Sequence, residues 1–324
     1  MESDCIDPIV YLHSIEVIHG RLRLGMKCTI VIVIGAIVAA LIVNFSSWYF
    51  NQPSTMWNTE YKRFKYKLYG SLKGNIIMLI PGLDGATSFF SDSIPELTAQ
   101  GYSVLVMSIP LYLGGNNYTF EYLASEIISV LSELSIDNVD CIVGESFGGV
   151  ITQYIALNYP NKVKSIVLLS SLAKTNVPYN VEWKITYLLP ILKFVGIMSP
   201  GFAQSLFARL HCEDVVEKAE DITIRDLFIK EASVAHFASV MERIKIVYKL
   251  DIRERIKHEI AMPTLILYGD IDSFTKPGSL MLHSLINNSK LEALPGGHLP
   301  HISKPKLFSE KIVSFLHDNN GMQT

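Results

Sequence analysis

The segment "VDCIVGESFGGVITQYIALNYP" (139–160) constrains this chain more than any other. It runs from a hydrophobic strand, through Gly144, Glu145, Ser146, Phe147, Gly148 and Gly149, directly into a helix. Small residues two before and two after one serine leave room for a tight strand–turn–helix crossing. A crossing that sharp strains the backbone. It also sets Ser146 at a helix N-terminus, where backbone N–H groups and the helix dipole favour negative charge.

The same kind of apolar run recurs along the chain. "EYKRFKYKLYG" alternates polar and aromatic residues as a half-exposed strand does, and "NIIMLIPG", "SVLVMSIP", "VKSIVLLSS", "MPTLILYG" and "KLEALPG" read as further strands. Segments of helical spacing such as "TFEYLASEIISVLSEL" lie between them. Short apolar strands alternating with helices predict an α/β fold, with a mostly parallel sheet covered on both faces. Ligands then bind beyond the carboxyl ends of the strands, so the loops after strands carry the information. The alternation stops between Ser171 and Met262, where the chain reads as helices rich in aromatic and aliphatic residues. One crossover needs only about a dozen residues, so this stretch is expected to form a helical cap inserted before the last two strands.

The strand-end loops hold a consistent set of reactive groups. Ser146 is the candidate nucleophile, and a serine hydroxyl needs a base to take its proton. His298 follows the last strand in "LPGGHLPHISKP" and is the candidate base, with His301 as its competitor nearer the final helix. A carboxylate must hold the base in the right tautomer. "GDIDSFTKP" offers Asp270 and Asp272, of which Asp272 lies far enough into the loop to turn towards His298. Asp270 is expected to bond its own loop as a turn residue. The preceding strand end, "VLLSSLAKT", holds no acid. Two backbone amides would hold an oxyanion, that of Phe147 after the serine and that of Leu83 in "PGLDGATSFF". Asp84, in the same loop between two glycines, reads as a turn residue.

The front of the chain differs. "CTIVIVIGAIVAALIVNF" (28–45) holds no charge and just reaches the length that crosses a bilayer core as a helix. Arg21, Arg23 and Lys27 precede it, and Trp48, Tyr49 and Phe50 follow as an interfacial belt would. No Ala-x-Ala-like cleavage site follows, which favours an uncleaved anchor over a signal peptide. The expected organisation is a tail at 1–27, a transmembrane helix or signal anchor at 28–50, core at 51–172, cap at 173–261 and core at 262–324. The upstream basic residues and the sequons Asn117–Thr119 and Asn287–Ser289 point to a catalytic domain on the exported or lumenal side, although Lys62, Arg63, Lys65 and Lys67 blunt the charge asymmetry. A net charge of −3 without a basic run gives no case for nucleic acid. The four cysteines lie far apart, without metal-ligand spacing or a disulfide framework.

Together "PGLDG", "GESFGG" with "YIALNYPNKVKSIVLLSS", "PTLILYGDIDSF" and "GGHLPHISKP" resemble the α/β-hydrolase fold superfamily from about residue 62 to the C-terminus. Within it the pattern is similar to capped carboxylesterases and monoacylglycerol-lipase-like enzymes, some of which carry one N-terminal membrane helix. The resemblance implies Ser146 as nucleophile, Asp272 as acid and His298 as base, with no cofactor or metal. Pro81 stands where many members have histidine in the oxyanion loop, which leaves the backbone donor in place. The expectation is a membrane-anchored serine hydrolase that cleaves carboxylic esters, small or lipid, through an acyl-enzyme. Thioesterases and acyltransferases use the same parts. A fainter resemblance to the maspardin-like branch leaves open a binding or scaffold protein without turnover.

Overall fold

The computed structural model describes residues 66–72, 74–115, 117–175 and 182–321, all within the unit Thr55–Thr324. The expected anchor at 28–50 lies outside the described residues, and no helix among them is long and apolar enough to cross a membrane.

Among the described residues seven strands form one sheet: β1 (Tyr66–Tyr69), β2 (Ile76–Ile80), β3 (Ser103–Met107), β4 (Val139–Glu145), β5 (Val163–Leu169), β6 (Thr264–Gly269) and β7 (Ser289–Leu294). Their order is β1-β3-β2-β4-β5-β6-β7, with only the edge strand β1 antiparallel to its neighbour, Tyr66 opposite Met107. The other pairs are parallel. Each run read as a strand in the sequence supplies one of them.

In chain order the described helices are α1 (Ser93–Ala99), α2 (Phe120–Glu133), α3 (Phe147–Asn158), α4 (Leu189–Met198), α5 (Pro200–Val215), α6 (Ile222–Ala232), α7 (Phe237–Val247), α8 (Arg253–Glu259), α9 (Lys276–Leu285), α10 (Pro300–Ser303) and α11 (Pro305–Gly321). The period-2 geometry of a strand decides which of them β2 meets. Ile76, Met78 and Ile80 point into a cluster with Leu123 and Ile127 of α2 and Ile151 of α3. Ile77 and Leu79 point the other way, towards Ile94 and Leu97 of α1 and Phe308 and Ile312 of α11. β2 is buried along its whole length, and each such side chain contributes about 1.5–3 kcal/mol by leaving water. α2 shows how sequence starts a covering helix: the Thr119 side chain accepts from the Tyr122 N–H at 3.2 Å, then Phe120, Leu123, Ala124, Ile127, Ile128 and Leu131 form its buried stripe.

Between β5 and β6 lie α4 to α8, preceded by a π-wound turn at Lys184–Leu188. One cluster joins Ala208, Cys212 and Phe228 of this region to Phe89 and Leu299 of the strand-end loops. Another joins Leu192, Phe207, Phe237 and Val240 among the inserted helices themselves. Ile256 of α8 packs instead with the cluster beneath the sheet. The chain leaves β2 for β3 on one side and returns to β4 on the other, so the crevice of the sheet opens at the carboxyl ends of β2 and β4.

Candidate active site

Ser146 is by itself the turn between β4, ending at Glu145, and α3, starting at Phe147. Its backbone sits at φ +52°, ψ −112°, a conformation that costs a non-glycine residue on the order of 1–3 kcal/mol and persists only where the surroundings impose it. Here its N–H donates to Leu169 O at 2.8 Å, and its carbonyl accepts from Gly149 N at 2.9 Å and Ser171 Oγ at 3.0 Å. The flanking glycines are required by contact. A Cβ on Gly144 would sit 2.4 Å from Gly148 O, and one on Gly148 would sit 2.4 Å from Ile80 O and Pro81 O.

Asp272 and His298 meet from the loops after β6 and β7. Both are buried, with His298 Nδ1 3.3 Å from Asp272 Oδ2. The loop organises the carboxylate first: Asp272 Oδ1 accepts from the N–H groups of Phe274 and Thr275, each at 2.9 Å. Thr275 Oγ1 donates to Asp272 Oδ2 and lies 3.0 Å from His298 Nδ1. Burial alone would raise the Asp272 carboxyl, but the His298 charge and the bonds from His298 and Thr275 outweigh it and hold it below the usual carboxylate range. A carboxylate only accepts, so the network assigns the imidazole proton to Nδ1 and leaves the Nε2 lone pair free. For His298 burial pushes downward, yet Asp272, then Glu145 and Glu220, more than compensate and set it above the ordinary histidine value.

The two competitors go elsewhere. His301 is fully buried on α10 between Phe90 and Phe308, at 5.1 and 5.6 Å between ring centroids, and neither ring nitrogen has a hydrogen-bond partner. Burial, then the His298 charge, lowers it to about 3, so it is a neutral core ring. Asp270 does not bond within its own loop as expected: its Oδ1 accepts from Gly296 N at 3.0 Å and ties the β6 loop to the β7 loop ahead of His298.

The loop after β2 is held from two sides by buried charges that sequence reasoning did not single out. Gly82 N–H donates to Glu145 Oε2 at 3.0 Å, and Arg243 Nη1 of α7 donates to Leu83 O at 2.8 Å. These bonds orient the peptides on either side of the Leu83 N–H. Arg243 is 1% exposed and also donates to Ile109 O and Tyr118 Oη. Asp84 closes the turn expected of it, since Gly85 N donates to Gly82 O at 2.9 Å. It is also buried, its Oδ1 lacks a partner, and burial followed by the Glu145 charge raises it to about 7 despite Arg243. An acid at the end of the apolar run Cys141–Gly144 was the one available signal for Glu145. Arg243 and Thr275 had none, because their partners are remote in sequence or set by loop geometry.

Ser146, His298, Glu145, Leu83 and Asp84 line one small pocket of about 20 Å³. Leu83 and His211 also line a second cavity of about 140 Å³, whose wall is mostly apolar, with Leu172, Leu188, Leu192 and Phe207, and includes the Lys184–Asp214 ion pair. His211 stands where the two meet. It stacks on Phe207 at 5.3 Å, and burial brings it to about 3, so it is an uncharged ring at this junction. The arrangement sets a strained serine, an oriented imidazole and two amide-bearing turns beside an apolar cavity.

The family described as alpha/beta hydrolase fold matches residues 75–305. RutD of Stutzerimonas stutzeri (strain A1501) is 28% identical over 272 residues, covering 79% of this chain and 97% of that protein. A pimeloyl–acyl-carrier-protein methyl ester esterase of Wigglesworthia glossinidia brevipalpis is 25% identical over 276 residues, covering 80% and 100%. Among solved structures, an esterase from Exiguobacterium antarcticum aligns with a TM-score of 0.65 at 20% identity, over 78% of this chain and 94% of its own.

Proposed function

The chain belongs to the alpha/beta hydrolase fold family, and on that premise we propose that it is a serine hydrolase acting on carboxylic esters. The observation that carries the proposal is the strained Ser146 lining one pocket with a His298 backed by Asp272. In this reading Nε2 of His298 takes the Ser146 proton as Oγ attacks the ester carbonyl. The N–H groups of Leu83 and Phe147 hold the oxyanion, each such donor being worth about 3 kcal/mol. His298 then passes its proton to the leaving alcohol. A water activated by the same imidazole attacks the acyl-enzyme and releases the acid, which restores Ser146. The esterase names of two relatives and the apolar cavity beside Leu83 support an ester with an apolar acyl chain, a monoacylglycerol or related lipid ester being the class that fits. The π-wound turn Lys184–Leu188 and helices α4, α5 and α7 act as a cap that supplies most of that cavity.

The proposal extends to a single-pass anchor at 28–50 with the catalytic domain on the exported side, supported by the uncharged run 28–45 and the basic residues before it. One labelling experiment tests both parts. A fluorophosphonate should attach to Ser146, mapped by peptide mass spectrometry, and not to Ser146→Ala. The labelled band should stay with membranes through alkaline carbonate extraction. A folded protein that takes no label would end the hydrolase reading, and a labelled protein released by carbonate would end the anchor.

A further inference from the structure

The helix that walls the acyl cavity carries a second, outward surface. From residue 182 to Met198 the chain is helical without a break. On its outer side Trp183, Tyr187, Ile191, Phe194, Ile197 and Met198 are exposed by 45, 68, 60, 71, 78 and 81%. At about 100° per residue Ile191, Phe194, Ile197 and Met198 of α4 fall on one arc of roughly 120°, and Trp183 and Tyr187 lie about one turn apart across the π-wound stretch before it. Thr186 and Lys193 border the arc. Taking about 200 Å² for a side chain of this size, the six expose on the order of 800 Å², above the ~300–600 Å² of the largest apolar patch on an ordinary monomer. The other side of the same helix presents Leu188, Leu189 and Leu192 to the 140 Å³ cavity. This element is apolar on both sides, and the described residues cover only one of them.

We propose that the Trp183–Met198 face seats on a lipid surface, so that acyl chains pass from that surface into the cavity behind it. The inference rests on the reading of the domain as an ester hydrolase. Three observations select lipid as the occupant. Aromatic residues mixed with aliphatic ones and a lysine at the border are the make-up of a helix lying in a membrane interface. Whatever covers the stripe lies one helix diameter, about 10 Å, from the acyl cavity, which suits a source of acyl chains. The uncharged run 28–45 is separated from β1 by residues 46–65, a length that spans about 70 Å at most when extended. A tether of that reach keeps the stripe at high local concentration near any bilayer the run occupies.

The test uses the full chain in phosphatidylcholine vesicles, with Phe194→Cys carrying an NBD fluorophore in a Cys5→Ser/Cys28→Ser background. Replacing part of the lipid with doxyl-phosphatidylcholine should quench that probe about twofold or more, because the quencher sits on the acyl chains among which an interfacial helix inserts. The same probe at Lys290→Cys on β7 should be unaffected. No quenching at residue 194 overturns the proposal, whether the emission is that of water or is blue-shifted under a second copy of the chain. A kinetic arm reads the consequence. Phe194→Glu combined with Met198→Glu, neither of which lines the cavity, should lower hydrolysis of monooleoylglycerol in the vesicles about tenfold while p-nitrophenyl butyrate turnover stays within about twofold. Equal rates of the double variant and the parent on both esters would overturn it. Absence of fluorophosphonate label in the same preparation would instead sink the hydrolase reading, leaving the quenching result to stand on its own.

Discussion

His298 concentrates the chemistry of the site in one titration. The negative groups Asp272, Glu145 and Glu220 outweigh its burial and set it above 6.5. If His298 is the general base of the proposed hydrolysis, it works only when neutral, so kcat/KM for a soluble ester should fall with decreasing pH through a midpoint above 6.5. A midpoint below 6.5 would mean that these carboxylates do not act on the imidazole. The stability contribution has the opposite sense: a histidine raised in the folded state stabilises most below its unfolded value and loses that contribution as pH rises through the folded one. Asp272, lowered in the folded state, stabilises above the unfolded carboxylate value and loses this as pH falls. The pair therefore binds best as ions, whereas the proposed reaction needs the imidazole neutral.

At the scale of elements, the inserted helices do more than wall a cavity. Through Arg243, helix α7 bonds the carbonyls of Leu83 and Ile109 and the hydroxyl of Tyr118, while Ser239 of the same helix accepts from Tyr112 N at 2.8 Å. One helix thereby positions both the loop after β2 and the loop after β3. If Leu83 supplies an oxyanion donor, Arg243 is its positioning residue, acting on geometry rather than on substrate. Arg243→Gln should lower kcat about tenfold to a hundredfold, the cost of a displacement near 1 Å at a reacting centre. KM should stay within a few-fold, and affinity for a trifluoromethyl ketone transition-state analogue should fall in step with kcat. Tyr118→Phe removes one acceptor of Arg243 without touching Leu83 and should leave kcat nearly unchanged. A rise in KM alone for Arg243→Gln would make the residue structural for the cavity rather than for the oxyanion turn.

For the whole molecule, the buried charges set how stability depends on pH. Asp84 stands near 7 in the fold against 3.8 for an exposed aspartate. The folded state therefore holds a proton that the unfolded state releases, and stability falls as pH rises from about 4 to about 7. Asp84→Asn keeps the shape and removes the titration, so it should stabilise the domain more at pH 8 than at pH 5, by on the order of 2–4 kcal/mol in urea denaturation. An equal effect at both pH values would show that Asp84 is ionised throughout. None of this was legible in "PGLDG", where Asp84 looked like a turn residue, because its neighbour Glu145 and the counter-charge Arg243 are brought beside it only by folding. The seven strand runs were legible, since alternation and apolarity act over fewer than ten residues. So were the loop positions of Ser146, Asp272 and His298, because each follows a strand whose end the sequence marks. The bonds from Gly82 to Glu145 and from Leu83 to Arg243 join residues 63 and 160 apart, and no local pattern reports them. Sequence alone thus determined the order of strands and helices, and with it which loops share the carboxyl edge of the sheet, because backbone geometry and hydrophobic period are local. Tertiary structure decided which of those groups are charged, why His301 is an inert ring beside a coupled His298, and which face of 182–198 is left bare, because ionisation and burial depend on neighbours that only the folded chain assembles.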